Sequence, residues 1–345
     1  MPRVIAAPGR MQPLAHLWSA RIDDHAIDLA WTPDGAMLAA AEVSGKVWLF
    51  DARTGQSTSP IGGHDFGTTS IDWSADGTRL ATGGQDGHVR LWDRDAKPLA
   101  ALAAGAPWVG KVAWSRSAPL LAGCAGRLLQ VWNTEGTVVA TFPPFASTIA
   151  DIAWVPRTGE IAAAGYGGVG IYRPEAPQAC RRLDWKGSVL ALAWSPAGTY
   201  LAAGNQDASV HLWVTSTGED LHMGGYALKV RELAWSPDGR LLATGGASDV
   251  VVWNCSGKGP AGTHPVMLAH HRAPISQLAW QHRGRLLASA CQEGMVAVWR
   301  PGKHKAPTAV ARMDEAVSRL AWSADDRSLA VATAGGSVTV LASPA

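Results

Sequence analysis

The sequence predicts an all-β fold, an eight-bladed β-propeller with four-stranded antiparallel blades. Three observations predict it. One unit recurs eight times, and its first tryptophan falls at Trp31, Trp73, Trp114, Trp154, Trp194, Trp235, Trp280 and Trp322, with spacings of 42, 41, 40, 40, 41, 45 and 42. Each unit alternates apolar and polar residues between turn sequences, which reads as several short strands. A fixed period of about 40–45 residues with several strands per copy marks propeller blades. The alternative is seven blades, with two incomplete copies sharing one.

The stretch Ser70 to Asp93 shows the unit in full. Ile71 and Trp73 belong to a first strand that runs into the turn Ser74-Ala75-Asp76-Gly77. Leu80 to Thr82 form a second strand, Gln85-Asp86-Gly87 a second turn, and Val89, Leu91 and Trp92 a third strand. Two residues before each first tryptophan stands an aliphatic, from Leu29 and Ile71 to Leu320; eight residues after it stands alanine in every copy, from Ala39 to Ala330. Thr32-Pro33-Asp34-Gly35 and Ser236-Pro237-Asp238-Gly239 have the residues of type I turns, with proline presetting φ at the second position. The third strands end at Phe50, Trp92, Trp132, Tyr172, Trp213, Trp253, Trp299 and Leu341. Large rings at two fixed positions per copy suit wedges between neighbours. Burying one ring removes about 150–250 Å² from water, at most roughly 4–6 kcal/mol.

The blades share one ring, so residues 14–345 are expected to form one propeller domain after a loose tail at 1–13. The chain stops after the third strand of the eighth copy, while Leu14–Ile22 is a spare strand at the start. Pairing the two would complete the last blade and close the ring.

Composition narrows the function classes. Thirty Lys and Arg against 28 Asp and Glu give a net charge of +2. With no basic run, neither nucleic acid nor a membrane surface is an expected main partner. The four cysteines, Cys124, Cys180, Cys255 and Cys291, form no CxxC pair. With no signal-like apolar core at the N-terminus, a cytoplasmic protein is expected. Enzyme signatures such as GxSxG, HExxH and GxxxxGK[ST] are absent, so no enzyme activity and no cofactor are expected.

The second copy carries Gly63-His64 at its start and Trp92-Asp93 at its end. In this it resembles the WD40-repeat family. The resemblance implies a buried hydrogen-bonded tetrad of His64, Thr82, Asp86 and Trp92. The seventh copy matches next best, with His271, Ser289, Glu293 in the Asp position, and Trp299. The His position of other copies holds Gly105, Phe145, Trp185, Tyr226 or Met313, so packing is expected to replace the tetrad there.

The same resemblance implies a non-catalytic scaffold that binds proteins or peptides through its loops, as a monomeric propeller within a complex. Partner contacts would come from loops entering the first strand, pointing to His25, Trp108, Lys229 and Arg231. They would come also from the turn after the second strand, pointing to Gln85, Tyr166, Gln206 and Gln292. Trp, Tyr and Arg on an exposed rim are the types that make binding hot spots. The other reading is a metal- or small-ligand-handling propeller, using the central channel or the histidines His264, His270, His271, His282 and His304 around the seventh copy.

Overall fold

The computed structural model describes residues 11–57, 60–176, 178–257 and 259–344. Its regular structure consists of β-strands. The second repeat is the plainest: Thr68–Trp73, Arg79–Gly84, His88–Asp93 and Pro98–Ala103 pair in sequence, each antiparallel to the last. Its first turn closes as the sequence predicts. Ser74 Oγ donates to Asp76 at 2.6 Å, the Gly77 amide donates to the Ser74 carbonyl at 2.9 Å, and Gly77 takes φ +69°. The first, sixth and eighth repeats reuse this Ser/Thr–Asp bond in Thr32–Asp34, Ser236–Asp238 and Ser323–Asp325.

The innermost strands follow one another around a circle, and the first strand of the eighth repeat, Val317–Trp322, returns to that of the first, Ala26–Trp31. The expectation of eight blades is corrected here: the propeller has seven. The described strands form seven hydrogen-bonded sheets, because the fourth and fifth repeats share one sheet of six strands. Strand Ala179–Trp194 causes this. Its first part pairs with Ile161–Tyr172 of the fourth repeat, and its second with Tyr200–Asn205 of the fifth. The connecting residues Asp184-Trp185-Lys186-Gly187-Ser188 contain no proline and no adjacent Asp-Gly pair, and they lie within this one strand. The first repeat also departs from four strands: its sheet has three, extended by isolated bridges from Val47 to Ile61 and from Phe50 to Ser57.

His16–Arg21 lies antiparallel to Ser337–Ala342 as the outer strand of the eighth repeat. Trp18 of that strand is 7% exposed; it donates its indole N–H to the Ala52 carbonyl at 2.8 Å and packs 5.7 Å from the Phe50 ring. Of the expected N-terminal tail, residues 1–10 lie outside the described residues, and Gln12–Pro13 pairs parallel with Ala309–Val310 of the seventh repeat.

The core sits between repeats. Ala39, Ala41, Val47 and Leu49 of the first repeat pack on Ile71, Trp73, Leu80 and Trp92 of the second, and similar clusters fill the other seams. The recurring alanine is fully buried in all eight repeats, where a larger side chain would collide with the next repeat's rings. Seven first-strand indoles also bond to a main-chain carbonyl of the preceding repeat: Trp31 to Ala321, Trp73 to Ala30, Trp154 to Ala113, Trp194 to Ala153, Trp235 to Ala193, Trp280 to Ala234 and Trp322 to Ala279. Between the second and third repeats the Trp114 indole N–H is buried without a partner among the described residues. There the preceding residue is Asp72 rather than alanine. Its carboxylate accepts from the Trp114 amide and from Arg116, both at 2.7 Å.

Candidate functional site

The two tetrads come first, because they fix the loops that carry the exposed residues. In the second repeat the Trp92 indole N–H donates to Thr82 Oγ1 at 3.1 Å, and Thr82 Oγ1 lies 2.7 Å from His64 Nε2. His64 Nδ1 lies 2.9 Å from Asp86 Oδ1. One tautomer satisfies the chain: Nδ1–H donates to Asp86 and Nε2 accepts the Thr82 hydroxyl. Asp86 also accepts from the His88 amide and from Arg90. Burial raises the Asp86 pKa, but His64, the His88 amide and Arg90 together hold it below the ordinary carboxylate value. Burial depresses the His64 pKa more than Asp86 supports it, so the ring stays neutral.

The seventh repeat completes only half of this network. The hydroxyl of Ser289 meets both His271 Nε2 and the Trp299 indole at 2.7 Å. His271 Nδ1 is buried with no partner among the described residues, and burial with the nearby His270 lowers its pKa to about 4. Glu293, expected in the Asp role, is exposed and makes no bond to His271. Its side chain is one methylene longer than that of Asp86. The sixth repeat corrects the expectation of packing alone: the Tyr226 hydroxyl bonds Thr244 Oγ1 at 2.7 Å and accepts the Trp253 indole at 2.8 Å. A phenol there does the work of the imidazole.

The eight loop residues fall into three groups. Gln206, Lys229, Arg231 and Gln292 line one cavity of about 480 Å³ between the fifth, sixth and seventh repeats. Leu228 and Pro274 supply apolar wall, and Glu232 also lines it. Burial raises the Glu232 pKa, against a weaker pull from neighbouring amides, Arg231 and Arg319. Lys229 and Arg231 are exposed, and neither forms an ion pair among the described residues. Tyr166 is 63% exposed and lines a second cavity, in the fourth repeat. Trp108 is 57% exposed, with φ +70°, and lines neither cavity.

His25 and Gln85 do less at the surface. Both are half-buried and hold neighbouring loops together: the Val43 amide donates to the His25 carbonyl, and the Gln85 amide to the Gly67 carbonyl, each at 2.9 Å. Sequence reasoning missed Phe66, which is 83% exposed at φ +67° in the loop entering the second repeat. A left-handed backbone at a bulky residue costs roughly 1–2 kcal/mol. Phe66 and Trp108 both accept it while leaving a ring in water. The position of Phe66, just before the strand Thr68–Trp73, was the available signal.

The central channel is polar. Two carboxylates that stand three residues before a first tryptophan reach the next repeat: Asp28 accepts the Ile71 amide at 3.0 Å and Asp151 the Leu192 amide at 2.8 Å. Lys111 pairs with Asp151 at 2.5 Å and Arg319 with Asp28 at 3.5 Å. These charges are therefore committed to one another. Among the described residues no group of three or more His, Cys, Asp or Glu stands placed to hold a metal ion, so the metal reading has no ligand set there.

Comparison with known proteins adds the family. The model of the WD domain, G-beta repeat, matches residues 55–93, 180–214, 221–254 and 262–300. The transcriptional corepressor LEUNIG_HOMOLOG of Arabidopsis thaliana is 28% identical over 278 residues, covering 77% of this chain and 34% of that protein. Cell division cycle 20.1, cofactor of APC complex, also of Arabidopsis thaliana, is 26% identical over 324 residues, covering 87% of this chain and 70% of that protein. WD repeat-containing protein 1 of Xenopus tropicalis is 38% identical over 66 residues, 18% of this chain and 11% of that protein. The chain thus spans about a third or less of two of these relatives. A crystal structure of the computationally designed Ika8 protein superposes with a TM-score of 0.80 at 19% identity, covering 96% of this chain and all of that one; it speaks for the fold alone. This chain therefore carries WD40 repeats: the family model matches it four times, on a ring of antiparallel sheets with a complete His–Thr–Asp–Trp network.

Proposed function

We propose that this chain is a non-catalytic platform that binds other proteins through the loops entering its first strands and joining its second and third. One observation carries the reading: four of the eight loop residues converge on a single cavity between the fifth, sixth and seventh repeats. Two cations without ion-pair partners among the described residues sit there beside Leu228 and Pro274. That set suits a partner segment with a carboxylate next to an apolar side chain, since a desolvated cation gains most from a charged acceptor. Trp108 and Phe66 extend the exposed face on the second and third repeats, and such rings are typical anchors. The relative named a cofactor of the APC complex agrees with a role exercised in a complex. A reducing compartment, the cytoplasm, is part of the proposal; the four free cysteines suit it.

The test compares proteins co-purifying with the full chain and with a Lys229→Glu, Arg231→Glu double variant. Both positions are exposed, so thermal melts of the two should coincide. The expected result is loss of at least one partner by about tenfold or more, the scale of one hot-spot contact. An unaltered partner set with an unaltered melt would rule this surface out.

A further inference from the structure

The cavity between the fifth, sixth and seventh repeats holds a carboxylate as well as its two cations. Its polar side chains are Gln206, Lys229, Arg231, Glu232 and Gln292. None of the five is hydrogen-bonded to another side chain among the described residues, and no ion pair there takes up Lys229, Arg231 or Glu232. Glu232 stands three residues before Trp235, the place that Asp28 and Asp151 occupy in their repeats. Those two accept an amide of the next repeat and pair with Arg319 at 3.5 Å and Lys111 at 2.5 Å. Glu232 does neither. Its carboxylate lies over Gly245, where a Cβ would come within 2.9 Å of Oε2, so this glycine leaves it room.

A partner seated in this cavity takes water away from Glu232 as well as from Lys229 and Arg231. A carboxylate cut off from water without a counter-charge is costly. Either the partner brings a cation or Glu232 takes up a proton. Burial favours the neutral acid, while nearby amides, Arg231 and Arg319 favour the charged form. An occupant with acid alone would set its own carboxylate beside Glu232 in the same cavity. An occupant with both charges satisfies all three groups.

Resting on the platform reading above, we propose that this cavity takes an extended peptide segment with an acidic and a basic residue at alternate positions. The acid meets Lys229 and Arg231, and the base meets Glu232. Residues two apart in an extended chain point the same way, so one short segment presents both charges to one surface. Gln206 and Gln292 stand in the fifth and seventh repeats, on either side of the sixth. Each amide both donates and accepts, as a peptide backbone requires. Leu228 and Pro274 receive an apolar side chain of the segment.

The experiment is isothermal titration calorimetry of the full chain with two acetylated, amidated peptides, Leu-Ala-Glu-Ala-Arg and Arg-Ala-Glu-Ala-Leu, which offer the pattern in both chain directions. Saturable binding of one or both is expected, with no proton uptake when buffers of different ionisation enthalpy are compared. Glu232→Gln, or glutamine in place of the peptide's arginine, should each weaken binding by about tenfold or more. The two changes together should cost no more than either alone, because both remove one contact. Glu232 is bonded to no other side chain among the described residues, so the variant should melt with the native chain. Failure of both peptides to bind, uptake of a proton on binding, or unchanged or tighter binding by Glu232→Gln would overturn the proposal. The Lys229→Glu, Arg231→Glu variant separates the two readings. If it loses the peptide while Glu232→Gln keeps it, the contact to the base fails and the platform stands. The platform itself is decided by the co-purification, whatever these peptides do.

Discussion

Acidification should weaken this protein through His271 before it reaches most carboxylates. The ring is 6% exposed, bonded through Nε2 to Ser289, and its Nδ1 has no partner among the described residues. Burial first, then the positive field of His270, hold its pKa at about 4 against 6.5 for a free side chain. The folded pKa is the lower one, so the unfolded chain binds the proton more readily. Stability from this residue is therefore complete above pH 6.5 and declines as pH falls toward 4. A gap of that size, at about 1.4 kcal/mol per unit, is roughly 3 kcal/mol at full loss. With a melting entropy of about 2.1 cal/mol/K per residue, this chain should lose about 4–5 °C in melting temperature from His271 alone. The assay is differential scanning calorimetry of the native chain and a His271→Gln variant between pH 7 and 4.5. The variant starts lower but carries no titrating group at this position, so its melting temperature should fall less steeply. Equal slopes in the two proteins would refute the reasoning, because other acid-sensitive groups are common to both.

Two further expectations follow from the same networks. Thr82→Val keeps the shape but strands His64 Nε2 and the Trp92 indole, two buried groups, and should cost about 2–5 kcal/mol by urea denaturation. Trp18→Ala empties the seam between the outer strand and Phe50, and should cost about 3–5 kcal/mol on the same measurement.

The repeat register was legible because each marked position meets a neighbour under the same constraint. An indole needs a carbonyl, and an alanine must leave room for the next ring. The number of sheets was less legible. It turned on Asp184–Ser188, which carries Asp, Gly and Ser yet stays within one strand, and such a stretch is easily read as an ordinary linker. Glu293 stands exposed with no bond to His271, which residue class alone does not register. Tyr226 failed the other way: its hydroxyl reaches Thr244 and Trp253, so a different side chain restored the bonding. The loop residues were found by position, but their grouping was not visible. Gln206 and Gln292 are 86 residues apart in the chain and meet only because the ring curves.

Seven of the indoles joining one repeat to the next bond to a peptide carbonyl. A peptide carbonyl is the same whatever residue carries it, so these joints work like a standard fitting. Rim residues can diversify, and whole units can be exchanged, without recutting the joint. Asp72 is where this uniformity lapses, giving an otherwise repetitive wheel one joint that depends on the identity of a side chain.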